Sequence, residues 1–358
     1  MFRRPQVTNP TNDTPLLLRA LRGEDTATAP CWFMRQAGRF LPEYRALKEK
    51  HSFWELARTP ELAAEVTLQP ITRFGMDAAI LFQDIMTPLP PMGVDIEFTP
   101  GPVIASPIRT AAQVRALRVP AAAEIAPFVP DAIRIIRQRS TTPLIGFGGA
   151  PLTLATYLVE GSGSKDYARF RGFLKSEPSL AHELVDKLTD VSISYLTSQV
   201  QAGAQAIQLF DSWAGLHDIP TWRTFSEPYN RRIFEAISAL GVPTIYLAVD
   251  SAHLYDAIFD LPADAFSVDW RTPLDRLRGR AGTRCLQGNL DPSWLLAPEE
   301  ALRDATLQVL RSGVGGAHVF NLGHGMLPFV QPERLQVVID TVRSFRRHEN
   351  PAHESNHG

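Results

Sequence analysis

Short apolar runs alternate along this chain with longer stretches in which apolar residues recur every three or four positions. The first run is Asp77-Ala-Ala-Ile-Leu-Phe82. Pro143 to Phe147, Ala206 to Phe210, Thr244 to Val249, Ala265 to Val268, Arg284 to Leu286 and Ala317 to Leu322 repeat its form. Runs this short and this apolar suit strands buried on both faces of a parallel sheet. Between them lie stretches with helical patterning, such as Ala181 to Gln201 and Pro298 to Arg311. Buried strands alternating with helices imply a parallel α/β architecture. With Cys31 to Met34 as an eighth strand, the count suits a (β/α)₈ barrel of the TIM type. A doubly wound open sheet is the alternative.

Other stretches fill in the outline. Thr14 or Asp13 is placed to cap a short helix, PLLLRALRG, ending at Gly23 in an N-terminal extension. Ser52 to Phe74 reads as helix, with Leu56, Ala63, Val66 and Ile71 at roughly helical spacing and breaks expected near Pro60 and Pro70. Val94 to Ile104 alternates around a Pro-Gly pair and predicts a small hairpin inserted after the first barrel strand. No internal repeat or linker divides the chain, so residues 1–358 read as a single domain. The polar ends, 1–13 and 348–358, are expected to fray.

Composition narrows the function. Apolar residues make up 44% and charged residues 21%, a globular profile. The net charge of −2 gives no basic field for nucleic acid, so an anionic substrate has to meet local arginines. No apolar run approaches the roughly 20 residues needed to span a bilayer, and the first residues lack the apolar core of a signal peptide. The two cysteines, Cys31 and Cys285, lie in apolar runs, belong to no CxxC pair, and read as buried thiols of a cytoplasmic protein.

The candidate chemistry clusters at the ends of the runs. They stop at Asp84, Gly148-Gly149, Asp211-Ser212, Asp250, Asp269, Asn289 and Asn321. The carboxyl ends of parallel barrel strands are where such enzymes keep their chemistry. The stretch PCWFMRQAGRFLPEYRALK, residues 30–48, begins apolar and then presents Arg35 and Arg39. If helical, both guanidinium groups share a face; if a loop, Gly38 lets the backbone bend around a ligand, and Pro42 stops any helix already begun. Two anchored arginines suit a planar anion. Ile145-Gly-Phe-Gly-Gly-Ala-Pro151 has the look of a dinucleotide loop, but Pro151 stands where the last glycine belongs and no acidic residue follows at the right distance. Ser212 lacks a nucleophile elbow. In NLGHGMLP, residues 321–328, two glycines flank His324 and leave room for a ligand against its ring.

Taken as whole motifs, WFMRQAGRFLPEYR, GFGGAPLTLATYLVEG, LFQDIM, FDSWAG and NLGHG closely resemble the uroporphyrinogen decarboxylase family. The resemblance spans most of the chain. It implies a cytoplasmic homodimeric lyase of porphyrin and heme biosynthesis. Its reaction converts the four acetate side chains of uroporphyrinogen III to methyl groups, giving coproporphyrinogen III, and it uses no cofactor. It further implies that Arg35, Gln36, Ala37, Gly38, Arg39, Lys48, Phe53, Asp84, Tyr157, Ser212 and His324 bind the tetrapyrrole. Asp84, Arg35 and Arg39 serve catalysis.

The chemistry implied is self-contained. A pyrrole carbon accepts a proton, the iminium-like ring takes the electron pair released as CO₂ leaves, and a second proton completes the methyl group. No metal-ligand spacing or nicotinamide loop is evident in the sequence. The proton donor is either a buried arginine or a water bound to one. Two other functions remain: a corrinoid-linked methyltransferase of related barrel, which needs a His and Cys zinc site that two isolated cysteines do not suggest, and a non-catalytic tetrapyrrole-binding protein.

Overall fold

A computed structural model describes residues 14–98 and 101–347. Its centre is a seven-stranded, all-parallel sheet. In chain order the strands are β1 (Ala79–Ile80), β4 (Leu144–Gly149), β5 (Ala206–Asp211), β6 (Thr244–Ala248), β7 (Ala265–Ser267), β8 (Cys285–Gln287) and β9 (His318–Val319), each paired with the next. The antiparallel pair β2 (Ile96–Phe98) and β3 (Pro102–Ile104) forms the hairpin inserted after β1, with Ile96 opposite Ile104; residues 99 and 100 at its tip lie outside the described residues. Nearly every residue of the parallel strands is buried, which is why they read as continuous apolar runs.

The eighth position differs from the expected Cys31–Met34 strand. Only Cys31 pairs in sheet fashion, bridging to Phe320 beside β9. On its other side the Asp77 N–H donates to the Cys31 carbonyl at 3.0 Å, and Asp77 Oδ2 accepts the Cys31 N–H at 2.8 Å. Beyond that point side chains replace the ladder: Gln36 Oε1 accepts the Phe33 N–H and Asn321 Oδ1 accepts the Met34 N–H, both at 3.0 Å. One residue with an aspartate brace therefore closes the seven strands into a TIM-type barrel.

The helices follow the apolar periodicity with three corrections. The first, Leu16–Leu21, has Pro15 rather than Thr14 at its N-cap; Asp13 lies outside the described residues, as do both chain ends. Pro42 starts helix Pro42–Lys48 instead of stopping one, because a first-turn proline loses no hydrogen bond. Pro60 does divide the Ser52–Phe74 stretch, into Phe53–Arg58 and Pro60–Phe74, but Pro70 stays inside the second helix with its ring buried. The first of these opens with a reciprocal capping box between Ser52 and Glu55. Both cysteines are free and buried.

The single-residue closure makes a test. Asp77→Ala leaves the fully buried Cys31 N–H without its acceptor, and such an orphan costs about 1–3 kcal/mol. The denaturant midpoint should fall accordingly, whereas an unchanged midpoint shows that the closure does not depend on this brace.

Candidate active site

A cavity of about 620 Å³ opens at the carboxyl end of the barrel, within the usual range for small-molecule sites. Ten of the eleven residues singled out above line it: Arg35, Ala37, Gly38, Arg39, Lys48, Phe53, Asp84, Tyr157, Ser212 and His324. Gln36 does not. Its side chain is fully buried, with Oε1 on the Phe33 N–H and Nε2 donating to the Ala78 carbonyl at 2.8 Å. It is a brace behind the wall.

The Arg35 segment is a loop pinned from both sides. Gln36 ties it to the start of β1; Asn321 and the Met326 N–H, which donates to the Met34 carbonyl at 2.8 Å, tie it to the segment after β9. Arg35 itself adopts a left-handed φ of 63°, rare for a residue with a side chain. The left-handed turn thus falls on the arginine and not on Gly38. The glycines around His324 also serve a different purpose from the one expected. A Cβ on Gly325 would lie 2.5 Å from Arg35 Cδ, and one on Gly323 would lie 2.4 Å from the Trp270 backbone nitrogen. They make room for the protein's own arginine stem and main chain.

Asp84 sits in a braced turn past β1. Its backbone N–H donates to Thr87 Oγ1, and its Oδ1 accepts the Met86 N–H at 2.9 Å. Just before it, the Phe82 N–H donates to Thr67 Oγ1 and Gln83 Nε2 to the Ala57 carbonyl. Asp84 is therefore a turn residue and a wall residue at once. Its remaining exposed surface faces the cavity and not bulk solvent, and burial pushes its carboxyl up to about 6 against the opposing effects of the Met86 N–H and the Arg35 charge. Burial and the Arg35 charge lower His324, so its ring is neutral at pH 7. Burial raises Tyr157 to about 12, so its hydroxyl keeps its proton. The charge of Arg35 reaches all three groups, which places them around one centre.

The cations on the wall are free for a ligand. Elsewhere arginines pair with carboxylates, as Arg73 with Glu43 and Arg232 with Asp190. Among the described residues, Arg35, Arg39 and Lys48 have no carboxylate within ion-pair distance. Three cations therefore face one cavity that contains one carboxylate. No group of three or more His, Cys, Asp or Glu side chains among the described residues is arranged to hold a metal ion, and no helix there is long and apolar enough to cross a membrane.

Much of the remaining wall is aromatic. Tyr44, Phe82, Phe98, Phe147 and Phe210 join Phe53 there, and Phe53 packs at 5.0 Å against Phe98 of the hairpin and 5.6 Å from Phe82. Sequence reasoning did not single out these five as site residues, because an aromatic side chain in or just past a strand or, for Tyr44, in helix Pro42–Lys48 reads the same whether it faces core or cavity. Phe98 carried the one usable signal, an aromatic ring on a hairpin inserted beside the first strand end.

Comparison with known proteins finds relatives over most of the chain. The family described as "Uroporphyrinogen decarboxylase (URO-D)" matches residues 12–345. A uroporphyrinogen decarboxylase of Citrifermentans bemidjiense is 43% identical over 333 residues, covering 92% of this chain and 98% of the relative. That of Geobacillus thermodenitrificans is 46% identical over 334 residues, covering 92% and 96%. Among solved structures, a methyltransferase from Methanosarcina mazei superposes with a TM-score of 0.78 at 22% identity, covering 91% of this chain and 97% of its own; this likeness is one of fold.

The elevated Asp84 value has a measurable sign. In the unfolded chain the carboxyl titrates near 3.9; folded, near 6. Ionisation therefore opposes folding: the penalty is absent below about pH 4, grows to about pH 6 and is constant above. Asp84→Asn removes it while keeping an acceptor for the Met86 N–H. The unfolding temperature of the variant should exceed that of the unsubstituted protein at pH 7, and the gap should shrink toward pH 4. A gap that does not change with pH contradicts the shift.

Proposed function

The chain belongs to the uroporphyrinogen decarboxylase family, and on that premise we propose that it converts the four acetate side chains of uroporphyrinogen III to methyl groups. The observation that carries this reading is the trio of unpaired cations facing an aromatic cavity beside a single buried carboxylate. A reduced tetrapyrrole presents many carboxylates at its edge and four pyrrole N–H donors at its centre, and this wall complements both.

Each residue then has a part to play. Arg35 and Arg39 bind acetate and propionate carboxylates through their rigid forks of donors, and Lys48 adds a point charge. The aromatic wall packs against the ring faces. Asp84 accepts pyrrole N–H groups with the oxygen not engaged by Met86. When a pyrrole carbon takes a proton, the ring becomes cationic and Asp84 stabilises it more than it does the neutral ring. The electron pair of the breaking carbon–carbon bond then enters the iminium-like system as CO₂ leaves, a second proton on the exocyclic carbon gives the methyl group, and the ring carbon gives back the first proton as the pyrrole regains its aromaticity, so that each CO₂ lost consumes one proton. Electrons balance without an external acceptor, so the reading assigns no metal or organic cofactor. Tyr157 as a retained donor, Ser212, and His324 as a neutral ring orient the macrocycle, with Ala37 and Gly38 completing its seat. The same reading carries a single domain, from a sequence without internal repeat or linker, a cytoplasmic location, which the two buried thiols fit, and a homodimer, which rests on family resemblance.

Anaerobic incubation with uroporphyrinogen III, counting carboxyl groups on the product, tests the activity. Loss of up to four carboxyl groups is expected; a product with all eight overturns the reading. Activity should persist after exhaustive chelation and gel filtration, and rescue by an added metal contradicts the cofactor-free route. Asp84→Asn should lower turnover by about 10²–10³, the usual effect of removing such an electrostatic group, with Asp84→Glu intermediate. Turnover within about threefold of the parent leaves Asp84 only its turn role. Arg35→Lys and Arg39→Lys keep the charge and lose the planar fork, so both should impair kcat/KM; wild-type kinetics in both would place carboxylate binding elsewhere.

A further inference from the structure

We propose that Asp211 and Thr153, neither of which faces the cavity, are positioning residues that fix the spacing between Tyr157 and Ser212. Asp211 ends β5 and is 1% exposed. Its Oδ2 accepts from the Tyr246 hydroxyl at 2.6 Å and the Ser226 hydroxyl at 3.0 Å, with Asn230 Nδ2 at 3.5 Å. Its Oδ1 accepts from the Thr153 hydroxyl at 2.7 Å. Every one of these partners is a neutral donor, and all are buried. A carboxylate held out of water without a cation is a costly way to stabilise a fold, and here both of its oxygens are engaged by buried donors, which restrains the groups that donate to them.

The geometry shows what it rigidifies. The Thr153 oxygen also accepts the Trp213 N–H at 3.2 Å. One hydroxyl therefore grips the residues on both sides of Ser212, Asp211 through its side chain and Trp213 through its backbone. Thr153 stands four residues before Tyr157 on helix Pro151–Glu160, so the two share a helix face. The Trp213 indole closes the loop, edge-on to the Tyr157 ring at 5.8 Å and 4.4 Å from Tyr167. The β5 end and the helix are thus locked at a single hydroxyl, and each carries one cavity residue. Tyr246, on β6, and Ser226, in the turn between helices Ile219–Phe225 and Glu227–Ser238, hold the opposite oxygen.

This inference rests on the reading of Tyr157 and Ser212 as macrocycle-binding residues, and the test separates the two. Thr153→Val removes the shared hydroxyl at constant shape, and Thr153→Ser restores it. Tyr246→Phe deletes a hydrogen bond to the same carboxylate from the other side. Asp211→Asn keeps an oxygen for Thr153 but replaces the charged acceptor with a neutral one. KM, kcat and unfolding temperature are measured for all four, with Tyr157→Phe and Ser212→Ala as references. A misplacement of about 1 Å can cost roughly 10²-fold. Thr153→Val should therefore lower kcat/KM at least about tenfold, and Thr153→Ser should lie within about twofold of the parent on the same scale. Tyr246→Phe should lose unfolding temperature while keeping KM, and Asp211→Asn, a weaker acceptor for Thr153, should fall between Tyr246→Phe and Thr153→Val in kcat/KM. If Thr153→Val loses kcat/KM only as Tyr246→Phe does, in step with stability, the positioning role is overturned. If Tyr157→Phe and Ser212→Ala are both kinetically silent, the site reading fails and takes this inference with it. Impaired reference variants beside a silent Thr153→Val overturn the positioning role alone.

Discussion

The site depends on how one stretch of main chain leaves the sheet without stranding its hydrogen-bonding groups. Past Cys31 the chain abandons the strand, and each buried backbone N–H then needs another partner. Asp77, Gln36 and Asn321 supply those partners from three directions. The turn they enforce puts Arg35 in a left-handed conformation, at a cost on the order of 1–3 kcal/mol, and the surrounding bonds over-determine it. The strain has a geometric result. The Arg35 stem passes over Gly325, with its charge near Asp84, Tyr157 and His324. Barrel closure and placement of the arginine are one constraint.

Charge then divides the labour within the cavity. Salt bridges on the outer surface pair exposed groups that water screens, and each contributes little. Inside the cavity the imbalance of three cations to one carboxylate is left standing, which suits a ligand that brings its own anions. The lone carboxylate is in the opposite condition: burial pushes its titration up although the Met86 N–H donates to Oδ1, and it has room for further donors. Pyrrole N–H groups answer that need, and a cationic ring answers it better. A wall with three unpaired cations and one carboxylate suits a polycarboxylate with N–H donors at its centre.

The barrel was legible because buried parallel strands are apolar throughout and alternate with helices, and all seven runs from Asp77 onward contain observed strands. The hairpin was legible from its alternation around Pro-Gly. The eighth strand was not, because Cys31 to Met34 is as apolar as the others and its backbone is diverted by side-chain acceptors, Gln36 three residues on and Asn321 far along the chain. The prolines misled for local reasons: at position 42 the ring begins a turn, and at position 70 the helix absorbs the missing donor. Resemblance to the family motifs picked out ten cavity residues but also Gln36, since a motif records what is retained and not whether it faces ligand or backbone.

The polar strand ends carry the same lesson further. Of the residues at which the runs stop, Asp84 and Ser212 reach the cavity. Asn321 holds the Met34 N–H, Asn289 binds the Asp269 and Thr272 carbonyls, and Asp211 is enclosed by hydroxyls. A strand leaving a barrel exposes backbone groups that need partners, and side chains at that end are the nearest supply. Chemistry and bracing therefore compete for the same few positions, and a polar residue there is informative only once its partners are counted. Asp84 satisfies both demands because an aspartate has two oxygens: Oδ1 closes the turn, and the other is left to the ligand. Asn321 places its side-chain oxygen on two backbone N–H groups, of Met34 and Leu322, so that oxygen braces the loop bearing Arg35 and is not offered to substrate.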